Sequence, residues 1–165
     1  MTPRTNKGTH KALYSAEERA RRDASRWTLV QGVLAPFQFV VFLVSLALVL
    51  RWLATGEGLA AANLSVILKT FVLYAIMVTG SIWEHDVFGK WLFAPAFFWE
   101  DVVSMGVIAL HTAYLVAAFA ELLAPRDLML LALAAYATYV INAVQFLWKL
   151  RMARLEATPS AEFAR

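Results

Sequence analysis

The sequence predicts an all-α integral membrane protein: a bundle of four transmembrane helices with a basic N-terminal interfacial helix. Three observations carry that prediction. A hydrophobic share of 61% against 16% charged residues lies outside the range of soluble globular chains. Four apolar runs, at about 27–53, 60–84, 96–123 and 127–150, each exceed the roughly 20 residues a helix needs to cross a bilayer. All six tryptophans, Trp27, Trp52, Trp83, Trp91, Trp99 and Trp148, fall at or near the ends of these runs, where an amphipathic ring sits best between headgroup and hydrocarbon.

The 165 residues fit one domain, without an internal repeat or low-complexity stretch. Residues 1–14 are polar and read as a flexible tail. Ser15-Ala16-Glu17-Glu18 matches the capping box, in which the serine and the glutamate satisfy each other's free backbone donors. A basic helix through Arg19, Arg21, Arg22 and Arg26 is expected to begin there and run on into the first span, its charges anchoring it at lipid headgroups. The first 26 residues carry seven Lys or Arg and no apolar core, which is not the pattern of a signal peptide, so the first span is expected to be retained. Pro36 removes a helical hydrogen bond inside that span and is expected to kink it. Gly56-Glu57-Gly58 reads as a short turn, Pro95 and Pro125 as residues at helix starts, and residues 156–165 as a second flexible tail.

Charge distribution gives the orientation. Seven Lys or Arg precede the first span and four lie at or beyond Lys149, whereas the loops on the other side hold only Arg51 and Arg126. An even number of spans with positive ends places both termini in the cytoplasm. The basic residues flank the spans and are not interleaved with aromatics on a soluble face, which argues against nucleic acid as a partner. The absence of cysteine excludes disulfides, thiolate metal sites and cysteine nucleophiles.

Polar residues inside the runs are not scattered evenly. Thr28, Gln31, Gln38 and Ser45 share a stripe of the first span, and Thr138, Asn142, Gln145 and Lys149 a stripe of the fourth. The second span adds Ser81 and Glu84, and the third carries Glu100, Ser104 and His111 on one face, with Asp101 beside them. With the termini inside, Gln31, Gln38, Glu84, Glu100, Ser104, Asn142 and Gln145 fall in the cytoplasmic half and His111 near the middle. That describes a polar pocket opening to the cytoplasm. The same amides also serve as glue between membrane helices, and the carboxylates also fit a solvated loop. Lys69 sits in the outer half and is expected to snorkel or to pair with Glu121, outside any catalytic role. Along one helix Glu100 and His111 are about 16 Å apart, so both can act together only on a large substrate or through a chain of water.

The segments Arg26-Trp27-Thr28-Leu29-Val30-Gln31-Gly32, Gly80-Ser81-Ile82-Trp83-Glu84, Phe97-Phe98-Trp99-Glu100-Asp101, Leu110-His111-Thr112-Ala113-Tyr114 and Tyr139-Val140-Ile141-Asn142 resemble the 3-vinyl (bacterio)chlorophyllide hydratases of bacteriochlorophyll synthesis. The resemblance runs from Ser15 to Leu155. It implies a hydro-lyase of the bacterial inner or intracytoplasmic photosynthetic membrane that adds water to a vinyl group of the tetrapyrrole, giving a 1-hydroxyethyl group.

Such a hydration needs a proton at the terminal carbon, a cation at the inner carbon that the conjugated ring spreads, and a water activated by a base. Glu84, Glu100 and Asp101 are the candidate acids, because crowding or burial keeps a carboxyl protonated near neutrality. His111 is a candidate base, or a ligand for the substrate's own magnesium. Gln31, Gln38, Asn142 and Gln145 are candidates for holding water or pigment. Tyr139 and the aromatics Trp91, Phe93, Phe97, Phe98 and Trp99 offer flat surface for the ring, and the last five fit an interfacial belt equally. No dinucleotide fingerprint or metal-ligand spacing appears, so no cofactor or protein-bound metal is expected beyond the substrate's magnesium. The expected partners are the tetrapyrrole and the bilayer, with room for a homo-oligomer or a complex with neighbouring pathway enzymes. Of the rivals, a haem cytochrome would want paired deep histidines, but His10 is in the tail and His85 near the surface. A transporter would want broken helices in matching places, and only Pro36 hints at one. A non-catalytic tetrapyrrole carrier or photosystem-assembly protein would need the ring surface without the acids.

Overall fold

The computed structural model describes residues 13–157, and the side chains of residues 13–154; the remainder of the two tails, with His10, lies outside the described residues. Helix α1, Ala16–Ala24, opens on the expected capping box. Glu18 N–H donates to Ser15 Oγ at 3.2 Å, and Ser15 N–H donates to Glu18 Oε2 at 2.7 Å. The helix does not run into the first span. Ser25 turns to extended backbone and serves twice, closing α1 and capping α2 through its hydroxyl, because a serine side chain competes for the backbone donors that a continuous helix would use. Helix α1 lies along the end of α3, where Arg21 Nε donates to the carbonyl of Val87 at 2.8 Å and Ser25 Oγ to Asp86 Oδ2 at 2.8 Å. Beside it Tyr14 is buried against Phe88 and Phe97. Burial pushes the Tyr14 hydroxyl up to about 12, against the opposing pull of the neighbouring Arg22 guanidinium.

Four long helices follow: α2 Arg26–Thr55, α3 Leu59–Phe88, α4 Phe98–Phe119 and α5 Pro125–Ala157. All are long and apolar enough to cross a membrane. Among the described residues there is no strand. Pro36 lies inside α2 without ending it. The α2–α3 turn uses Gly56 and Gly58 at φ 75° and 85°, backbone that only glycine adopts without cost. Helix α4 stops at Phe119, before Leu123, because Glu121 turns left-handed at φ 53° and the Leu122 N–H reaches back to the Ala117 carbonyl at 3.0 Å. That is a Schellman closure with glutamate where glycine is usual.

Helix α2 packs chiefly on α3 and α4 on α5, giving two antiparallel hairpins that meet α2 against α5 and α3 against α4. Phe42, Val49, Val66, Val107, Tyr114, Met129 and Tyr136 fill the centre. The outside is apolar too, with Leu29, Phe37, Val40, Val78, Ile141 and Leu147 all exposed. An exposed apolar girdle of that extent is the surface expected of helices that face lipid.

Candidate functional site

Among the apolar core residues lie buried polar ones: Gln38 and Ser45 from α2, Lys69, Thr70 and Glu84 from α3, Glu100, Asp101, Ser104 and His111 from α4, and Asn142 from α5. They form a seam with two levels. An ionisable group held in a span costs about 2.5–3.5 kcal/mol on insertion scales, so each of these needs a partner or a purpose.

The upper level lies under the loop of residues 89–97. Glu84 and Asp101 are 3% and 6% exposed, which removes the solvated-loop reading. The two carboxyls lie close enough to interact. Ala94 N–H donates to Glu84 Oε1 at 2.7 Å and Phe93 N–H to Asp101 Oδ2 at 2.8 Å. Two successive amides turn to one side because Phe93 holds a left-handed φ of 59°, the form of an anion-binding nest. For a bulky residue that conformation costs about 1–2 kcal/mol and persists only where surrounding contacts enforce it. Within the α4–α5 hairpin, Lys149 Nζ donates to Glu100 Oε2 at 2.5 Å. One turn further along α4, Ser104 Oγ accepts from Asn142 Nδ2 at 2.7 Å. The buried oxygens Asn142 Oδ1, Gln145 Oε1 and Gln38 Oε1 have no hydrogen-bond partner among the described residues.

The lower level is built on His111 and Lys69, both fully buried. His111 Nδ1 donates to the carbonyl of Val107 at 2.8 Å, so its Nε2 is the acceptor for Lys69 Nζ, also at 2.8 Å. The ammonium lies 4.0 Å from the centre of the Tyr139 ring and 5.5 Å from that of Tyr136, a cation–π arrangement. Tyr136 Oη is bonded to Ser45 Oγ at 2.6 Å.

Several sequence expectations change here. Of the three candidate acids, Glu84 lies beside Asp101, and Glu100 meets Lys149. His111 stands about 15 Å along α4 from Asp101 and belongs to a separate cluster. With both of its nitrogens engaged, it has none for magnesium unless Lys69 moves. Lys69 neither snorkels nor meets Glu121, which is exposed beyond the end of α4. A signal for Lys69 was present in the sequence: ten residues into its helix it stands about 15 Å from the helix start, deep for a side chain meant to reach headgroups. Gln31 donates to Thr79 Oγ1 at 2.7 Å and so joins α2 to α3, away from the seam. Phe98 and Trp99 face outward at 43% and 69% exposure, whereas Phe97 is buried against Phe146 and Trp83. Tyr139 lies under Lys69, as described.

Two grooves flank the upper level. One of about 470 Å³ is lined by Glu100, Gln145, Trp148, Lys149 and Met152. The other, about 380 Å³, opens between α3 and α4 beside Met77, Ser81, Ile82, Trp91 and Met105. Both are within the size of small-molecule sites.

Residues 14–152 match the family model described as 2-vinyl bacteriochlorophyllide hydratase. A 2-vinyl bacteriochlorophyllide hydratase of Cereibacter sphaeroides is 68% identical over 157 residues, covering 94% of this chain and 97% of that protein. One from Rhodobacter capsulatus is 67% identical over 150 residues, covering 90% and 86%. No solved structure matches the chain.

Proposed function

The chain belongs to the 2-vinyl bacteriochlorophyllide hydratase family and is a hydratase of bacteriochlorophyll synthesis, and on that premise we propose that it hydrates the vinyl group at the upper level of the seam. The buried pair of Glu84 and Asp101, brought together from different helices under one loop, carries this reading. Two carboxyls buried side by side hold one proton between them at less cost than two negative charges. That proton goes to the terminal vinyl carbon, leaving a cation at the inner carbon that the macrocycle delocalises. Water held on Asn142 Oδ1 and Ser104 then forms the new C–O bond at the inner carbon and gives its surplus proton to Glu100, which adjoins Asp101 on α4 and turns toward Lys149 of α5. The proton returns to the acid pair through water at that end, so the cycle consumes one water and leaves a 1-hydroxyethyl group. His111, at the lower level, is too far along α4 to share the reacting carbons.

The positive ends of the chain and the exposed apolar girdle support a bacterial inner membrane with both termini in the cytoplasm. The upper level then opens on the cytoplasmic side, where water is available. The reaction needs no added nicotinamide, flavin or metal, the magnesium being part of the substrate.

The test is vinyl hydration by the purified protein in detergent, followed by the absorption change as the double bond leaves conjugation. Hydration should be lost by roughly 10²- to 10⁴-fold in Glu100→Gln, with pigment binding retained. Pigment binding without hydration in the wild-type protein would make it a carrier and sink the mechanism.

A further inference from the structure

The mechanism leaves the lower level without a task, yet its central group is an ionisable residue fully buried at membrane depth. Lys69 has three donors. Among the described residues one of them is used, on His111 Nε2. The ion pairs among the described residues are Arg22–Asp23, Arg51–Glu57 and Lys149–Glu100, so no carboxylate of the described chain answers Lys69. What surrounds it is neutral: an imidazole locked as acceptor by the Val107 carbonyl, and the faces of Tyr139 and Tyr136. A buried ammonium placed by aromatic faces and a neutral acceptor, with donors to spare, is built to receive an anion.

The substrate class supplies one. A chlorophyllide differs from a chlorophyll in carrying a free carboxylate where the other has a long-chain ester. From Ser104 to His111 the two levels are about 10 Å apart along α4, the scale of a flat macrocycle. The groove beside Met77, Ser81 and Met105 opens between α3 and α4, the helix pair that carries Lys69 and His111, and a ring entering there with its vinyl group at the upper level brings its far edge toward the lower one. We infer that Lys69 binds the free carboxylate of the tetrapyrrole, held in position by His111 and Tyr139, and thereby selects the acid over the ester. This rests on the hydratase reading above. His111 becomes a positioning residue: its Nδ1–H bond to Val107 fixes the ring so that Nε2 aims the ammonium.

The experiment compares two pigments on the intact protein in detergent, the 3-vinyl chlorophyllide as free acid and its methyl ester, which differ only in that charge and one methyl group. The wild type should show a KM about 10- to 100-fold higher for the ester, with kcat within a few-fold. In Lys69→Met the KM for the acid should rise to that of the ester, erasing the preference, and Lys69→Arg should restore part of it. Equal KM for acid and ester in the wild type overturns the inference, and that comparison stands even if Lys69→Met fails to fold. A loss of kcat in Lys69→Met with KM unchanged on both pigments also overturns it, because Lys69 would then be moving a proton. If neither pigment is hydrated, the mechanism above fails, and fluorescence titration of the two pigments still decides the receptor: tighter binding of the acid supports it and equal binding refutes it.

Discussion

Replacing Glu84 by glutamine separates the two things that its carboxyl does. A glutamine keeps the length and an oxygen to accept the Ala94 N–H, now made at 2.7 Å, while its amide can donate to Asp101 where the carboxyl pair met. The loop therefore stays tied, and the folded state should change by no more than about 1 kcal/mol, the net worth of one hydrogen bond. Alanine removes the acceptor and strands a buried amide at a cost of about 1–3 kcal/mol. The left-handed Phe93 stays tied through its own N–H to Asp101, so its strain is not released to offset that loss. Glu84→Ala should thus lose stability and activity together, and Glu84→Gln activity alone, by roughly 10²- to 10⁴-fold if the shared proton is the one delivered to the vinyl group. Thermal unfolding in detergent reads the first quantity, and vinyl loss by absorbance under saturating pigment reads the second. A Glu84→Gln protein of normal stability that hydrates at the wild-type rate would refute the acid role and leave the pair as a fastener for the loop.

Asp101→Asn should behave as Glu84→Gln does, since its oxygen can still accept the Phe93 N–H, and the double variant should lose little more than either single one, because the two groups hold one proton between them. Tyr114→Phe, which removes a 2.8 Å bond to Asn63 Oδ1 far from the upper level, should lower stability by about 1 kcal/mol and leave hydration unchanged in the same two assays. Topology can be read by single-cysteine labelling, as the native chain has no cysteine. Gly58 and Gly89 are at positive φ and poor hosts. Exposed Glu57 should label from outside and Lys90 from the cytoplasm, and labelling of both from one side would overturn the four-span arrangement.

How far the sequence reached can be judged from particular residues. The capping box at Ser15 was legible because its two hydrogen bonds lie within three residues of chain, and the four apolar helices because lipid-facing composition is a property of each segment alone. Glu84, Glu100, Asp101, Ser104, Asn142 and His111 were legible as a buried polar set, since a polar residue in an apolar run is costly wherever the run packs. Their pairing was not. Adjacent on one helix, Glu100 and Asp101 point about 100° apart, so one meets Lys149 of α5 and the other Glu84 of α3. Which neighbour each finds depends on the hairpin geometry, and so does the orientation that sent Phe98 and Trp99 outward, and Gln31 to Thr79. The sequence by itself determined the helices, their apolar surface and the residues that need partners, because periodicity and burial cost are local. Only the tertiary structure decided that Lys69 belongs to His111, because a contact between residues 42 apart is set by how two helices rotate against each other.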